Sequence, residues 1–222
     1  MCHAAVYEWV ISRLRTEDIR GRRILEVGSR YFNGSVRPLI ERLAPVASYT
    51  GVDIEPGLCV DRVVPAEELL VTFGEGAFDT VVSTEMLEHV QDAWTVVRNL
   101  KGVLAEGGAI YLTTRSKGMP YHAHPRDFWR FEIDDLRSLF GDFSELGIER
   151  DPEAPGAFLR ARKPPGYRAP PPSNPPLYSM TLGRRTADPS AVAEIPFTRR
   201  VRIALVPLVA KAMQGVNVVI PK

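Results

Sequence analysis

The sequence predicts an α/β fold: a doubly wound, mostly parallel sheet with helices on both faces. Three observations carry this expectation. Short apolar runs alternate with segments of helical periodicity over residues 1–163. The run Phe-Asp-Thr-Val-Val-Ser at 78–83 is continuous, as a strand buried on both faces would be. Polar residues, namely Glu26, Asp53 and the pair Thr84-Glu85, end three predicted strands. Open α/β sheets place their ligands at that edge.

Taken in order, residues 4–15 put Val6, Trp9, Val10 and Leu14 on one face of a helix, and the polar residues 16–22 make a turn. Residues 23–28 form the first strand. Ser35 can cap a helix running to residue 43, with Pro38 tolerated in its first turn. Residues 49–54 are the second strand and 59–64 a short third, followed by a helical stretch at 66–72. After the strand at 78–83, residues 92–104 space Ala93, Val96, Val97, Leu100 and Leu104 as a helix does. Gly107-Gly108 is expected to end that helix before a strand at 109–114. A helix at 133–140 and strands at 146–149 and 157–161 complete the domain. Residues 164–198 read as a proline-rich basic linker, and 199–222 as an apolar and basic tail.

Composition excludes several classes. With 222 residues the chain holds one ordinary domain and an appendage, and its net charge of +1 creates no global field for nucleic acid or membrane. Two cysteines, Cys2 and Cys59, offer no disulfide framework, and a reducing, cytoplasmic setting is expected. No basic segment followed by an apolar run opens the chain. The last twenty residues are interrupted by Pro207, Lys211, Gln214, Gly215 and Pro221, so a membrane span is rejected. The tail is open to two readings: contact with an anionic surface such as a membrane interface, or packing against the domain or a second copy in a homodimer.

The loop after the first strand indicates the ligand. A strand, a glycine turn, a helix and a second strand tipped by Asp53 build a site for a ribose-bearing cofactor. A nicotinamide cofactor fits poorly: the second and third glycines of G-x-G-x-x-G are missing, and Glu26 would repel a pyrophosphate. S-adenosylmethionine has no phosphate, and its amino and ribose groups suit acidic neighbours.

Four motifs in order complete the pattern. They are Leu25-Glu26-Val27-Gly28-Ser29-Arg30; Gly51-Val52-Asp53-Ile54; the stretch 78–90, ending Thr84-Glu85-Met86-Leu87-Glu88-His89-Val90; and Leu104-Ala105-Glu106-Gly107-Gly108-Ala109-Ile110-Tyr111-Leu112. With them residues 1–163 resemble the class I S-adenosylmethionine-dependent methyltransferases, more narrowly the bacterial type 11 group. The resemblance implies a Rossmann-like sheet of seven strands with a C-terminal appendage, and S-adenosyl-L-methionine as cofactor. It implies that Glu26 orients the methionine amino group, Gly28 and Ser29 let the backbone approach, and Asp53 and Ile54 meet the ribose side. Ala66 and Glu67 would serve adenine, and Thr84 and Glu85 would line the cofactor beside the acceptor. Arg30 and Pro65 depart from the family pattern: a glycine usually stands at the first, and at the second an acidic residue that contacts adenine.

On the acceptor side, residues 121–131 concentrate His122, His124, Asp127, Arg126, Arg130, Phe128, Trp129 and Phe131. Methyl transfer from a sulfonium is an in-line displacement, so catalysis is largely alignment and desolvation. A hydroxyl acceptor also needs a base, which makes His122 and His124 candidates with Asp127 as orienting partner. The same residues read structurally as an aromatic core and an Asp127–Arg130 ion pair. His89 reads as a brace for its loop. No metal is expected, since a His122–His124 pair has only Asp127 beside it. The expected activity is methylation, at oxygen, of a small molecule or a glycan or lipid intermediate. The alternative is a non-catalytic cofactor-binding module. A nucleic-acid acceptor is not expected, for want of a base-flipping motif or a basic core.

Overall fold

In the computed structural model the described residues are 3–32, 34–122 and 125–192. Strands β1 (Arg23–Val27), β2 (Ser48–Asp53), β3 (Arg62–Val63), β4 (Phe78–Thr84), β5 (Leu104–Arg115), β7 (Ser144–Arg150) and β8 (Gly156–Arg162) form one sheet. A two-residue strand, β6 (Trp129–Arg130), lies between β5 and β7 in the chain but outside that sheet. The spatial order is β3-β2-β1-β4-β5-β8-β7, with β8 antiparallel to both neighbours and every other pair parallel. This is the seven-stranded, doubly wound sheet that the alternation of elements predicts.

Strand side chains alternate between two cores, because successive residues face opposite ways. Leu25, Val81, Ile110 and Leu159 pack on one face with Trp94, Val97 and Leu100 of α5 (Ala93–Val103). Their chain neighbours Ile24, Val82, Tyr111 and Phe158 pack on the other, with α1 (Ala4–Arg13) and α3 (Arg37–Leu43). Between α1 and β1 lies the short α2 (Thr16–Ile19). Asp92 caps α5, its carboxylate accepting from the Thr95 amide at 3.0 Å. Helix α6 (Ile133–Phe140) starts with a capping box of Glu132 and Asp135.

Several boundaries differ from expectation for local reasons. The helix at 66–72 divides into a 3₁₀ turn, Ala66–Glu68, and α4 (Leu69–Phe73). Gly107-Gly108 does not end α5. The helix stops at Val103 and β5 begins at Leu104. Phe78 pairs with Leu104 while Thr80 pairs with Ala109, so the glycines lie in a bulge, where Gly107 takes φ +73°. Ser35 is not the cap: α3 starts at Arg37 with Val36 as its N-cap and no side-chain cap, although the Ser35 hydroxyl oxygen accepts the Arg37 amide at 3.1 Å.

After Lys163 the chain returns to the domain. Strands β9 (Leu177–Ser179) and β10 (Arg185–Thr186) join β6 in a small antiparallel sheet of order β10-β9-β6. Leu177 and Val192 are buried in the same core as Trp94 and Trp129. The 199–222 tail lies outside the described residues. No helix among the described residues is long and apolar enough to cross a membrane.

Candidate functional site

A cavity of about 360 Å³ opens at the carboxyl ends of β1, β2 and β4. Strand order reverses between β1 and β4, so their diverging connections leave a crevice there. Its volume suits a small molecule.

Glu26 is the penultimate residue of β1 and forms part of the cavity wall. It is 1% exposed and accepts a hydrogen bond from the Tyr49 hydroxyl at 2.8 Å. Burial pushes its carboxyl up to about 7, against the opposing pull of Tyr49 and the Arg37 charge. Gly28 follows at φ +78°, and a Cβ there would stand 2.7 Å from the Met86 Cβ. Only glycine fits both that conformation and that approach. At the tip of β2, Asp53 Oδ1 accepts from the Glu55 amide at 3.1 Å and Oδ2 from the Arg30 amide at 3.3 Å. These bonds close a turn and fix the carboxylate on the cavity wall.

All the sequence-predicted cofactor residues line the cavity except Ser29: Glu26, Gly28, Asp53, Ile54, Ala66, Glu67, Thr84 and Glu85. Ser29 is the exception for a geometric reason. Its amide donates to the Val52 carbonyl at 3.0 Å, and its side chain packs beneath Gly51, where an added Cβ would stand 2.7 Å from the Ser29 Oγ. Arg30, where the family pattern has glycine, swings to Glu55 in an ion pair at the rim. The Ala66-Glu67 wall is held from behind. Asn99 Nδ2 of α5 donates to the Ala66 carbonyl at 3.1 Å and to the Glu67 carbonyl at 2.5 Å. Sequence reasoning missed Asn99 because an amide inside an apolar helical stripe has no local signature.

The cavity is also lined by Met86, beside Gly28, and by His89, Val90, Gln91, His122 and Pro125. Glu85 sits at φ +55°, which turns its carboxylate back toward β5. There it accepts from the Thr113 hydroxyl at 2.7 Å and pairs with Arg115. Burial and the neighbouring Glu88 charge raise its carboxyl above the usual carboxylate range. Glu88 is fully buried, with the Thr114 hydroxyl donating to Oε2 at 2.8 Å. Burial alone would raise it, but the His122 and His89 imidazoles prevail and hold it below the usual carboxylate range.

His122 meets this cluster from the loop after β5. Its Nδ1 donates to the Pro120 carbonyl at 3.1 Å and lies 3.2 Å from Asp127 Oδ2, with Nε2 turned toward Glu88. Burial would lower the imidazole, yet the Asp127 and Glu88 carboxylates raise it to about 9. Asp127 stands behind His122, away from the cavity. It is fully buried, bound at both oxygens by Arg130 at 2.5 and 2.7 Å, and accepts the His122 amide at 2.8 Å. Phe128, Trp129 and Phe131 are buried as core. His124 lies outside the described residues. His89 is more than a brace: its Nδ1 donates to the Arg126 carbonyl at 2.6 Å, and its ring also lines the cavity.

A family profile described as "Methyltransferase domain" matches residues 4–143. The chain belongs to the class I S-adenosylmethionine-dependent methyltransferases. A ubiquinone biosynthesis O-methyltransferase of Xanthomonas euvesicatoria pv. vesicatoria is 32% identical over 123 residues, which is 50% of this chain and 48% of that protein. The chain thus spans about half the length of the curated relatives it matches. The 1,6-didemethyltoxoflavin-N1-methyltransferase of Burkholderia thailandensis, solved with 1,6-didemethyltoxoflavin and S-adenosylhomocysteine, is 19% identical. It superposes with a TM-score of 0.53 over 72% of this chain and 79% of that one. The [4+2]-cyclase SpnF, 18% identical, gives a TM-score of 0.57 over 72% of this chain and 80% of its own. Both share the fold.

The residues of this methyltransferase domain fit S-adenosylmethionine. The close Gly28–Met86 approach leaves a side-chain-free floor, a buried carboxylate stands at one end, and a second carboxylate is fixed at the strand tip beside it. A cationic amino group and a pair of ribose hydroxyls are the partners such carboxylates suit.

Proposed function

We propose that this protein O-methylates a small molecule, or a glycan or lipid intermediate, bearing a hydroxyl group. The observation that carries the reading is the polarity of the cavity. Acidic groups suited to the cofactor, Glu26 and Asp53, come from β1 and β2, and two imidazoles come from the connections after β4 and β5. When bound, S-adenosylmethionine supplies a methyl group on an electrophilic sulfonium. Glu26 orients the amino group and Asp53 holds the ribose, while the Ala66-Glu67 wall takes the adenine. Thr84, Met86, His89 and His122 line the rest of the cavity, and the two imidazoles handle the acceptor proton. His122, raised to about 9, takes that proton only after losing its own, so turnover should rise toward pH 9. Asp127 is a positioning residue: it fixes the His122 backbone and ring without reaching the cavity. His124, on the same loop, belongs to this proposal through the sequence alone. The likeness to an O-methyltransferase supports oxygen as the acceptor atom. We place the activity in the cytoplasm, where Cys59 stays a free thiol.

The fold also carries other chemistry, as the SpnF likeness illustrates, so binding and turnover need separate tests. Calorimetric titration with S-adenosylhomocysteine should show binding that Asp53→Ala reduces by about tenfold or more, roughly 1.4 kcal/mol. NAD should give no heat. Turnover on a panel of phenols, catechols and glycosides should then produce a methyl ether. Binding without turnover on any acceptor would favour a non-catalytic binding module. Absence of binding would remove both readings.

A further inference from the structure

We propose that Glu88, His89 and His122 form a binding site for a divalent first-row transition ion of the Zn²⁺ class, at the acceptor end of the cavity. One ligand atom from each residue lies within 4.8 Å of the other two. The His89 and His122 Nε2 atoms each stand 3.9 Å from Glu88 Oε1, and the two rings are nearly perpendicular with centroids 5.0 Å apart.

A second observation points to a ligand. Glu88 Oε1 is fully buried and accepts no hydrogen bond among the described residues, while its partner Oε2 is satisfied by Thr114. A buried carboxylate oxygen left without a donor is costly unless a cation meets it. Without a metal ion the His122 imidazolium answers it from 3.9 Å, and the ion would take that place by displacing the imidazolium proton. Oε1 faces the two Nε2 atoms at distances too long for hydrogen bonds.

The surrounding contacts prepare both imidazoles as ligands. His89 Nδ1 donates to the Arg126 carbonyl, and His122 Nδ1 donates to the Pro120 carbonyl beside Asp127. Metal-binding histidines use their second nitrogen in this way, which fixes the ring and aims the first nitrogen at the ion. His122 releases its Nε2 proton when the ion binds. Ligands about 2.1 Å from a tetrahedral ion stand ~3.4 Å apart, so small rotations of the two imidazoles close the set. Glu85 is not a fourth ligand, since Thr113 and Arg115 occupy its carboxylate.

Two imidazoles and one carboxylate leave a coordination position open. His89 and His122 line the cavity, so that position faces the acceptor. An ion there would hold a hydroxyl oxygen and make its proton easier to lose. This role rests on the O-methylation reading; the ion site itself does not.

The test uses the full chain, freed of any affinity tag and stripped with a chelator. It is titrated with Zn²⁺ against a chromophoric competitor, and with Co²⁺ by visible absorption. One bound equivalent is expected, with the absorption of a four- or five-coordinate Co²⁺ centre. The His89→Ala/His122→Ala pair should lower affinity by about a hundredfold or more, since even outer-shell changes cost 10–100-fold. Both rings are partly exposed, and circular dichroism checks that the variant folds. Glu88→Gln should weaken binding as well. Stoichiometric binding that survives in the histidine double variant would overturn the proposal, and so would its absence in the wild type. Either failure alongside intact S-adenosylhomocysteine binding would leave the cofactor reading standing.

Discussion

The Glu26 carboxyl is 1% exposed on the wall of the cavity, with the Tyr49 hydroxyl on one oxygen, and burial lifts it to about 7. A carboxyl raised above its unfolded value near 4.5 holds a proton in the native state that the unfolded chain has lost. Its contribution to stability is complete below pH 4.5 and is lost as pH rises through about 7. The full shift corresponds to roughly 3 kcal/mol at 1.36 kcal/mol per unit. A cationic amino group beside Glu26 offsets that loss, because it favours the ionised form. Affinity for S-adenosylhomocysteine should therefore rise between pH 5.5 and 7.5, with release of a proton on binding. Calorimetry in buffers of different ionisation enthalpy reads that proton directly. Glu26→Gln should bind more weakly and lose the pH dependence. A wild-type affinity flat across this range would mean that Glu26 does not meet the amino group.

Helix α5 links packing to the site, since its apolar stripe covers the sheet while Asn99 reaches across to the Ala66 and Glu67 carbonyls. Asn99→Ala removes both donors and leaves two carbonyls short of partners, one of them inside the protein. We expect about a tenfold loss of cofactor affinity, with the melting temperature lowered by a few degrees. An unchanged affinity would show that the Ala66-Glu67 wall holds its shape by packing alone. Much of the element level was legible in the sequence. Strands β1, β4 and β5 each contain a short apolar run, and Glu26 and Asp53 announce themselves as carboxylates near strand tips. Other parts had no pattern to read. A two-residue strand such as β6 has no period, and neither do the short β9 and β10. The bulge at Gly107 mimics a helix stop. Ser29 follows the motif in type, but its side chain turns beneath Gly51, and a motif does not specify direction. His89 stands in a 3₁₀ turn, and only the tertiary fold brings it to His122.

At the level of the whole molecule, the chain beyond Lys163 completes the domain and steadies the acceptor loop. The Trp94 indole donates to the Pro175 carbonyl at 3.0 Å, the Met180 amide to the Phe128 carbonyl at 2.7 Å, and Arg185 pairs with Asp135 at the start of α6. Strand β9 pairs with β6, and β6 carries Arg130, the residue that grips Asp127 behind His122. The proline-rich stretch is thus tied at both its core and its site-facing ends. Leu177 and Val192 are fully buried, and each contributes about 1.5–3 kcal/mol by leaving water. Against a total stability of roughly 5–15 kcal/mol, their loss is large. A chain ending at Lys163 should therefore melt about 10 °C or more below one ending at Val192, at 2–4 °C per kcal/mol for this size. The shorter chain should also lose turnover more steeply than cofactor affinity, because the freed loop bears His122 while Glu26 and Asp53 sit on strands it does not touch. Matching melting curves for the two chains would show that residues 1–163 stand alone and that the returning segment merely covers them. Equal losses of turnover and affinity would instead place its effect on the sheet as a whole.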